Sequence, residues 1–208
     1  MEISKFIVWY LYLFILGVIG FSVTNVIFKN WRDKGYGLAK FLGLLITAIP
    51  LWFLSSLKLV QFNQTSSFVF LIIFFVIALI ILGRSKVKIT KYMIYEEIVF
   101  FALMFIWGLI RATSPQIEGT EKMMNLAFMN SVDRSSFFPP LDPWFSGGTV
   151  NYYYIGHYLF VFLGKISGIT PNFAYNLALI TIIAHTFISL NSIFLQFFKK
   201  LKGWQAIG

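Results

Sequence analysis

Residues 68–83 read FVFLIIFFVIALIILG, an unbroken apolar run closed by Arg84. A bilayer core about 30 Å thick needs roughly 20 helical residues to cross it, and inside it the backbone must satisfy its own hydrogen bonds. A run of this kind is therefore read as a transmembrane helix. Working outward, further runs lie at 6–28, 38–57, 92–110, 152–169 and 173–198. The expected fold is an all-α polytopic bundle of about six spans with one long external loop. It divides into a four-span region at 1–110, the loop at 111–150, and two further spans at 151–208.

Composition points the same way. The 208 residues are 58% hydrophobic and 12% charged, whereas an ordinary soluble domain is roughly 45–50% apolar. The absence of cysteine excludes disulfides and thiolate metal sites, and two histidines leave little for zinc. A net charge of +9 could suggest nucleic acid. However, the basic residues cluster in short segments beside apolar runs, which is a signature of membrane topology and anionic headgroups. Membrane lipid is the expected partner, and nucleic acid is not. The run from Phe6 to Phe28 is too long for a signal-peptide core and has no small-residue cleavage site, so it reads as a retained span.

Segment 29–40 carries Lys29, Arg32, Lys34 and Lys40 against Asp33, and 84–91 carries Arg84, Lys86, Lys88 and Lys91 with no acid. The positive-inside rule puts both on the cytoplasmic side of the cell membrane and loop 111–150 outside. Counting six spans then places Lys199, Lys200 and Lys202 outside as well, against the rule. Either the region 152–198 crosses a different number of times, or the chain continues beyond residue 208. Within the last span Ala174, Ala178, Thr181, His185, Ser189, Ser192 and Gln196 recur every three or four residues, a stripe suited to close helix packing with hydrogen bonds across it. His185 is read as part of that packing. Glu96 and Glu97 are read as interfacial acids in the first turn of the fourth span.

Loop 111–150 holds Glu118, Glu121, Asp133 and Asp142, half of the chain's eight acids. Long loops tend to be functional. Residues 120–131 have helical character, with Thr120 as N-cap, and are expected to lie on the membrane surface. Phe137-Phe138-Pro139-Pro140 and Asp142-Pro143-Trp144 impose an extended, turn-rich path, and Gly147-Gly148 permits a sharp re-entry. The next span opens Asn151-Tyr152-Tyr153-Tyr154-Ile155-Gly156-His157-Tyr158. If helical from its start, it sets Asn151, Tyr154 and Tyr158 on one face with His157 beside them. The tyrosines suit an interfacial belt. The amide, phenols and imidazole together also make a wet cluster able to bind a sugar or a diphosphate.

The runs EGTEKMMNLAFMNS and FPPLDPWFSGGTVNYYYIGHYL resemble the YYY membrane-protein domain, a family of archaeal and bacterial polytopic proteins named for its tyrosine triplet. Members are similar in layout to GT-C glycosyltransferases, which use a lipid-linked sugar donor and a carboxylate in the first large external loop. Asn125 stands where the family pattern carries an aspartate. Members are longer, so the chain resembles an N-terminal portion.

The resemblance implies transfer of a sugar from a polyprenyl-phosphate donor, which needs a base for the acceptor and cationic or hydrogen-bonding groups for the departing phosphate. The candidate catalytic base is Glu121, then Glu118. Lys122, Arg134 and His157 are candidates for the phosphate, and Tyr153, Tyr154 and Asn151 for the sugar. Asp142 is either a binding residue or a turn cap. If magnesium or manganese takes part, the four loop acids are its candidate ligands. The competing expectation is a transport or assembly subunit whose loop binds a partner and whose buried charges mark a pathway.

Overall fold

The computed structural model describes residues 2–85 and 87–197. Lys86, the final residue expected of the last span, Lys199, Lys200 and Lys202 lie outside the described residues. Seven helices follow in order: α1 (Ile3–Ile27), α2 (Tyr36–Ser56), α3 (Gln64–Ser85), α4 (Lys91–Thr113), α5 (Thr120–Arg134), α6 (Ile155–Ser167) and α7 (Pro171–Phe197). Five of them, α1 to α4 and α7, are long and apolar enough to cross a membrane. The all-helical polytopic bundle expected from the sequence is what forms.

The hairpin of α1 and α2 is the closest contact in the bundle. A Cβ added at Gly20 would overlap the Ala39 carbonyl, and one at Gly43 would overlap the Leu16 carbonyl. Only glycine lets the two backbones approach this far, the small-residue logic of helix association in lipid. Helix α3 buries little beyond its small face of Ser67, Leu71 and Ala78. Its exposed Ile72, Ile73, Val76 and Ile80 suit contact with hydrocarbon chains.

Polar contacts divide the bundle into two ends. At one end, the turn after α1 meets the end of α7: Asp33 accepts hydrogen bonds from Ser192 Oγ (2.6 Å) and Gln196 Nε2 (3.1 Å). Val87 and Met93, around the α3–α4 turn, pack there against Phe21 and Ala39. At the other end, Lys5 sits 3.3 Å over the Phe173 ring, Arg111 Nε donates to Asn176 Oδ1 (2.7 Å), and Phe62 N donates to Ser136 O (2.7 Å). The first end is the basic face and the second the loop face. Helix α7 runs from the loop face to the basic face.

The sixth expected span, 152–169, is corrected. Helix α6 has 13 residues, about 20 Å of rise, which is short of a bilayer core. It is tied to the loop face at both ends. Tyr154 Oη accepts from Trp52 Nε1 near the end of α2 (3.0 Å), and Lys165 Nζ pairs with Asp133 Oδ1 at the end of α5 (2.9 Å). Between them, fully buried Tyr158 donates to the Ala48 carbonyl (2.7 Å) among Phe62, Phe138 and Phe162. The helix is packed beneath the loop and is shorter than the five helices long enough to cross, and the described end of α7 reaches the basic face, where Ser192 and Gln196 meet Asp33.

A second correction concerns Glu96 and Glu97, which sit in the second turn of α4 and are packed inside the bundle. Glu96 is 0% exposed. Glu97 forms an ion pair with buried Lys40 and accepts from the hydroxyls of Tyr10 and Tyr36. The small-residue stripe of α7 does face the bundle, with Ala174, Ala178, Thr181 and Ser192 buried, and His185 hydrogen-bonds Ser189 (3.2 Å).

Two outcomes check this arrangement. Gly43→Val forces α1 and α2 apart and destabilises the protein by about 1–3 kcal/mol or more, read as a lowered melting temperature in detergent, whereas exposed Gly83→Val leaves it unchanged. The chain has no cysteine, so single cysteines report sidedness cleanly. Cysteines replacing Lys29 and Lys88 are modified by an impermeant reagent from one side of sealed vesicles, and those replacing Lys58 and Ser146 from the other.

Candidate functional site

Helix α5 starts after Gly119, whose φ of +99° puts it at the N-cap position and Thr120 inside the helix, one residue from the expected cap. Phe128, Met129 and Val132 form its buried face. The segment after it folds back through short polar contacts. Ser131 Oγ donates to the Leu141 carbonyl, Leu141 N donates to Ser135 Oγ (3.4 Å), and Val150 N donates to Pro140 O (2.8 Å). At the tip Asp142 Oδ1 accepts from the backbone N–H of Trp144 (2.8 Å) and Phe145 (3.0 Å). That is an Asx turn closed by Pro143, and Gly147 at φ +80° completes the reversal. The capping role considered for Asp142 is the one its Oδ1 plays.

This folding sets α5 beside the entry to α6. A cleft of about 550 Å³ lies between them, lined by Phe128, Asp142, Trp144, Asn151 and Tyr152, with Met124 and Thr149 at its edge. Phe128 is its floor: the Trp144 ring meets it edge-on at 5.2 Å and Tyr152 stacks at 5.9 Å. Asp142 is shared with a neighbouring cleft of about 380 Å³ that also holds Arg134, Asn130 and Ser131. Two aromatic walls with an amide and a carboxylate between them form a site that can stack on one face of a ligand and hydrogen-bond its edge.

The tyrosine triplet divides. Asn151, Tyr152 and Tyr153 precede the helix and are exposed, so the expected helical face of Asn151, Tyr154 and Tyr158 does not form. Tyr152 and Tyr153 join through their hydroxyls, and that bond holds the Tyr152 phenol above its ordinary range. Tyr154 turns inward, stacked on Phe138 at 5.9 Å. His157 lies 5.5 Å from the Phe128 ring, and its Nε2 is 3.1 Å from Asn125 Oδ1. Burial pushes the imidazole below its usual pKa, so it is neutral near pH 7. Its contact with Asn125 ties α6 to α5 beside the aromatic cleft.

Glu118, Glu121, Lys122 and Arg134 are all exposed. Glu121 lies one turn before Met124 and Asn125 on the side of α5 that bears the aromatic cleft. Lys122 lies one turn before Leu126, on another side. Leu126 lines the largest cavity, about 670 Å³, together with Lys5, Arg111 and Asn176. Both of that cavity's basic groups are engaged within the protein. Lys5 pairs with Glu2, and Arg111 binds Asn176 and the carbonyls of Ser114 and Gln116. Among the described residues no three acidic, histidine or cysteine side chains gather. The four loop acids therefore do not converge on a protein cage for magnesium or manganese.

A further cavity of about 400 Å³ begins one turn below Tyr152, lined by Gly156, Leu159 and Phe160 of α6 with Leu44 and Phe100. Phe41, His185 and Thr186 line both this cavity and a groove of about 560 Å³ between α2 and α7. Nothing lies within 4 Å of where a Gly156 Cβ would stand, and its φ is not positive. A glycine inside a helix costs roughly 0.5–1 kcal/mol relative to alanine. Here neither packing nor backbone geometry requires one, and its bare face lines the cavity. The composition of the motif did not single out this glycine; its empty surroundings do.

No curated protein and no solved structure matches the chain. The model of a family described as uncharacterized membrane protein, DUF2298, matches residues 46–208, which take in α3 to α7 and the whole of the loop site, and the chain belongs to that family.

Proposed function

We propose that this membrane protein handles a lipid-linked sugar at its loop face, as a GT-C-like glycosyltransferase or the part of one that seats the donor. The observation that carries the reading is a pair of unlike cavities bordered by α6 and the chain that enters it. One is an aromatic cleft with Asp142, Asn151 and Tyr152, and the other an apolar cavity lined by Gly156, Leu159 and Phe160. A sugar with a hydrocarbon tail has these two halves. Trp144 and Tyr152 stack on the sugar, Asn151 and the Oδ2 of Asp142 hydrogen-bond its hydroxyls, and the polyprenyl chain lies beneath. Tyr153, exposed beside Tyr152, extends the stacking surface, while Tyr154 supports it from below.

Glu121, at the side of the cleft, accepts the proton of the acceptor hydroxyl as its oxygen attacks the anomeric carbon and the bond to the donor phosphate breaks. Glu118 is the acid next along the chain. Arg134, in the adjoining cleft across Asp142, and Lys122 offset the charge growing on the departing phosphate. The loop face is external in this reading, because the basic segments 29–40 and 84–91 gather at the opposite end. One observation favours transport as the second reading, namely the charged groups buried between α2, α4 and α7.

The test measures glycan transfer from a polyprenyl-phosphate sugar in membranes that hold the full-length protein. Glu121→Gln is expected to lower kcat about 10²- to 10⁴-fold with little change in KM. Gly156→Phe fills the lower cavity and raises KM for the lipid donor while leaving the base intact. An unchanged rate in Glu121→Gln removes the proposed base, and donor affinity unaffected by Gly156→Phe removes the proposed seat of the chain.

A further inference from the structure

The inner half of the bundle carries a polar cluster with no part in the loop chemistry. Glu96 of α4 is 0% exposed and Asn191 of α7 is 3% exposed. Asn191 Nδ2 donates to Glu96 Oε1 at 3.3 Å. The other oxygen of each side chain, Glu96 Oε2 and Asn191 Oδ1, is buried with no hydrogen-bond partner. Both orphan atoms are acceptors. A buried acceptor without a donor is destabilising, and more so when charged. An anion is excluded here, and a donor or a cation fits.

The neighbours sharpen this. Asp33, fully buried in the turn before α2, acts on Glu96 directly. It already accepts from Ser192 Oγ, Gln196 Nε2 and Gly37 N (3.4 Å). Lys40 of α2 also acts on Glu96, but its ammonium is bonded to Glu97. Tyr36 of α2 and Tyr95 of α4 complete the titratable groups around Glu96. A second carboxylate buried beside Asp33 with one long hydrogen bond is an expensive charge. A single positive charge at Glu96 removes both the like-charge repulsion and the two orphan acceptors.

We propose that Glu96 Oε2 and Asn191 Oδ1, with Asp33 beside them, bind one small hard cation between α4 and α7 within the membrane. That cation is a proton or a sodium ion, both sought by oxygen ligands of this kind. The site is independent of sugar transfer.

The experiment uses the full-length protein in lipid nanodiscs. Its melting temperature is followed against NaCl, with N-methylglucamine chloride holding ionic strength constant, and infrared difference spectra are recorded across pH. If sodium is the occupant, NaCl raises the melting temperature saturably. Glu96→Gln then abolishes the dependence, and Asn191→Leu weakens its midpoint about tenfold. If a proton is the occupant, sodium has no effect and a protonated-carboxyl C=O band persists at neutral pH. That band vanishes in Glu96→Gln and shifts in Asn191→Leu. Either set supports the site, and Asn191→Leu carries the test if Glu96→Gln fails to fold. No sodium dependence together with no carboxyl band sensitive to either substitution means an ionised Glu96 solvated by water alone, and overturns the proposal.

Discussion

The pairing of Lys40 with Glu97 is the constraint on which the bundle depends. An unpaired ammonium or carboxylate in a low-dielectric interior carries a desolvation cost of several kcal/mol, recovered only when the partner and the remaining hydrogen bonds are all in place. Here Tyr10 of α1, Tyr36 of α2 and Lys40 of α2 converge on one carboxylate of α4. The Lys40 stem lies across Gly17, with its Cγ 3.0 Å from where a Cβ of that glycine would stand. One interaction therefore sets the register of α4 against the α1–α2 hairpin. The far end of α4 follows from it, and there Arg111 fixes α7 through Asn176 and shapes the first turn of the loop.

Much of this was legible in the residues, because apolar runs of span length have few alternatives in a bilayer. The five crossing helices match them closely. Asp142-Pro143-Trp144 announced its turn, since aspartate before proline bonds the backbone two residues on. What was not legible is what depends on partners far along the chain. Glu96 and Glu97 look interfacial by position alone, and only Lys40, a charge inside an otherwise apolar run, signals that something within the membrane must neutralise it. Trp9 bonding Thr181 at 3.0 Å and Lys165 bonding Asp133 likewise need the fold to be seen.

The short helix was misjudged for a related reason. Apolar residues continue from Tyr152 to Ile169, long enough to suggest a span. But Gly168 at φ +67° ends the helix, and Tyr152 and Tyr153 stay outside it. Apolarity in α6 reflects burial under the loop, where Tyr158, Phe162, Leu163 and Ile166 are almost wholly enclosed. A core helix beneath a loop and a spanning helix can have the same composition; length decides between them. The described end of α7 lies at the basic face, where Ser192 and Gln196 meet Asp33.

A helix that stops short of crossing has a further physical effect. A crossing helix in this position would have filled the bundle through its full depth. A helix of about 20 Å held at the loop face leaves the volume beside and beneath its first turn to be lined by its neighbours, and that volume is the cavity walled by Leu44, Phe100, Phe41 and His185. The loop closes over the same turn from above, because Tyr154, Phe138 and Phe62 pack in sequence from the loop into the core. The polar cleft and the apolar cavity thus flank the same short helix: Asn151 and Tyr152, on the chain that enters it, line one, and Gly156, Leu159 and Phe160 of its first turns line the other.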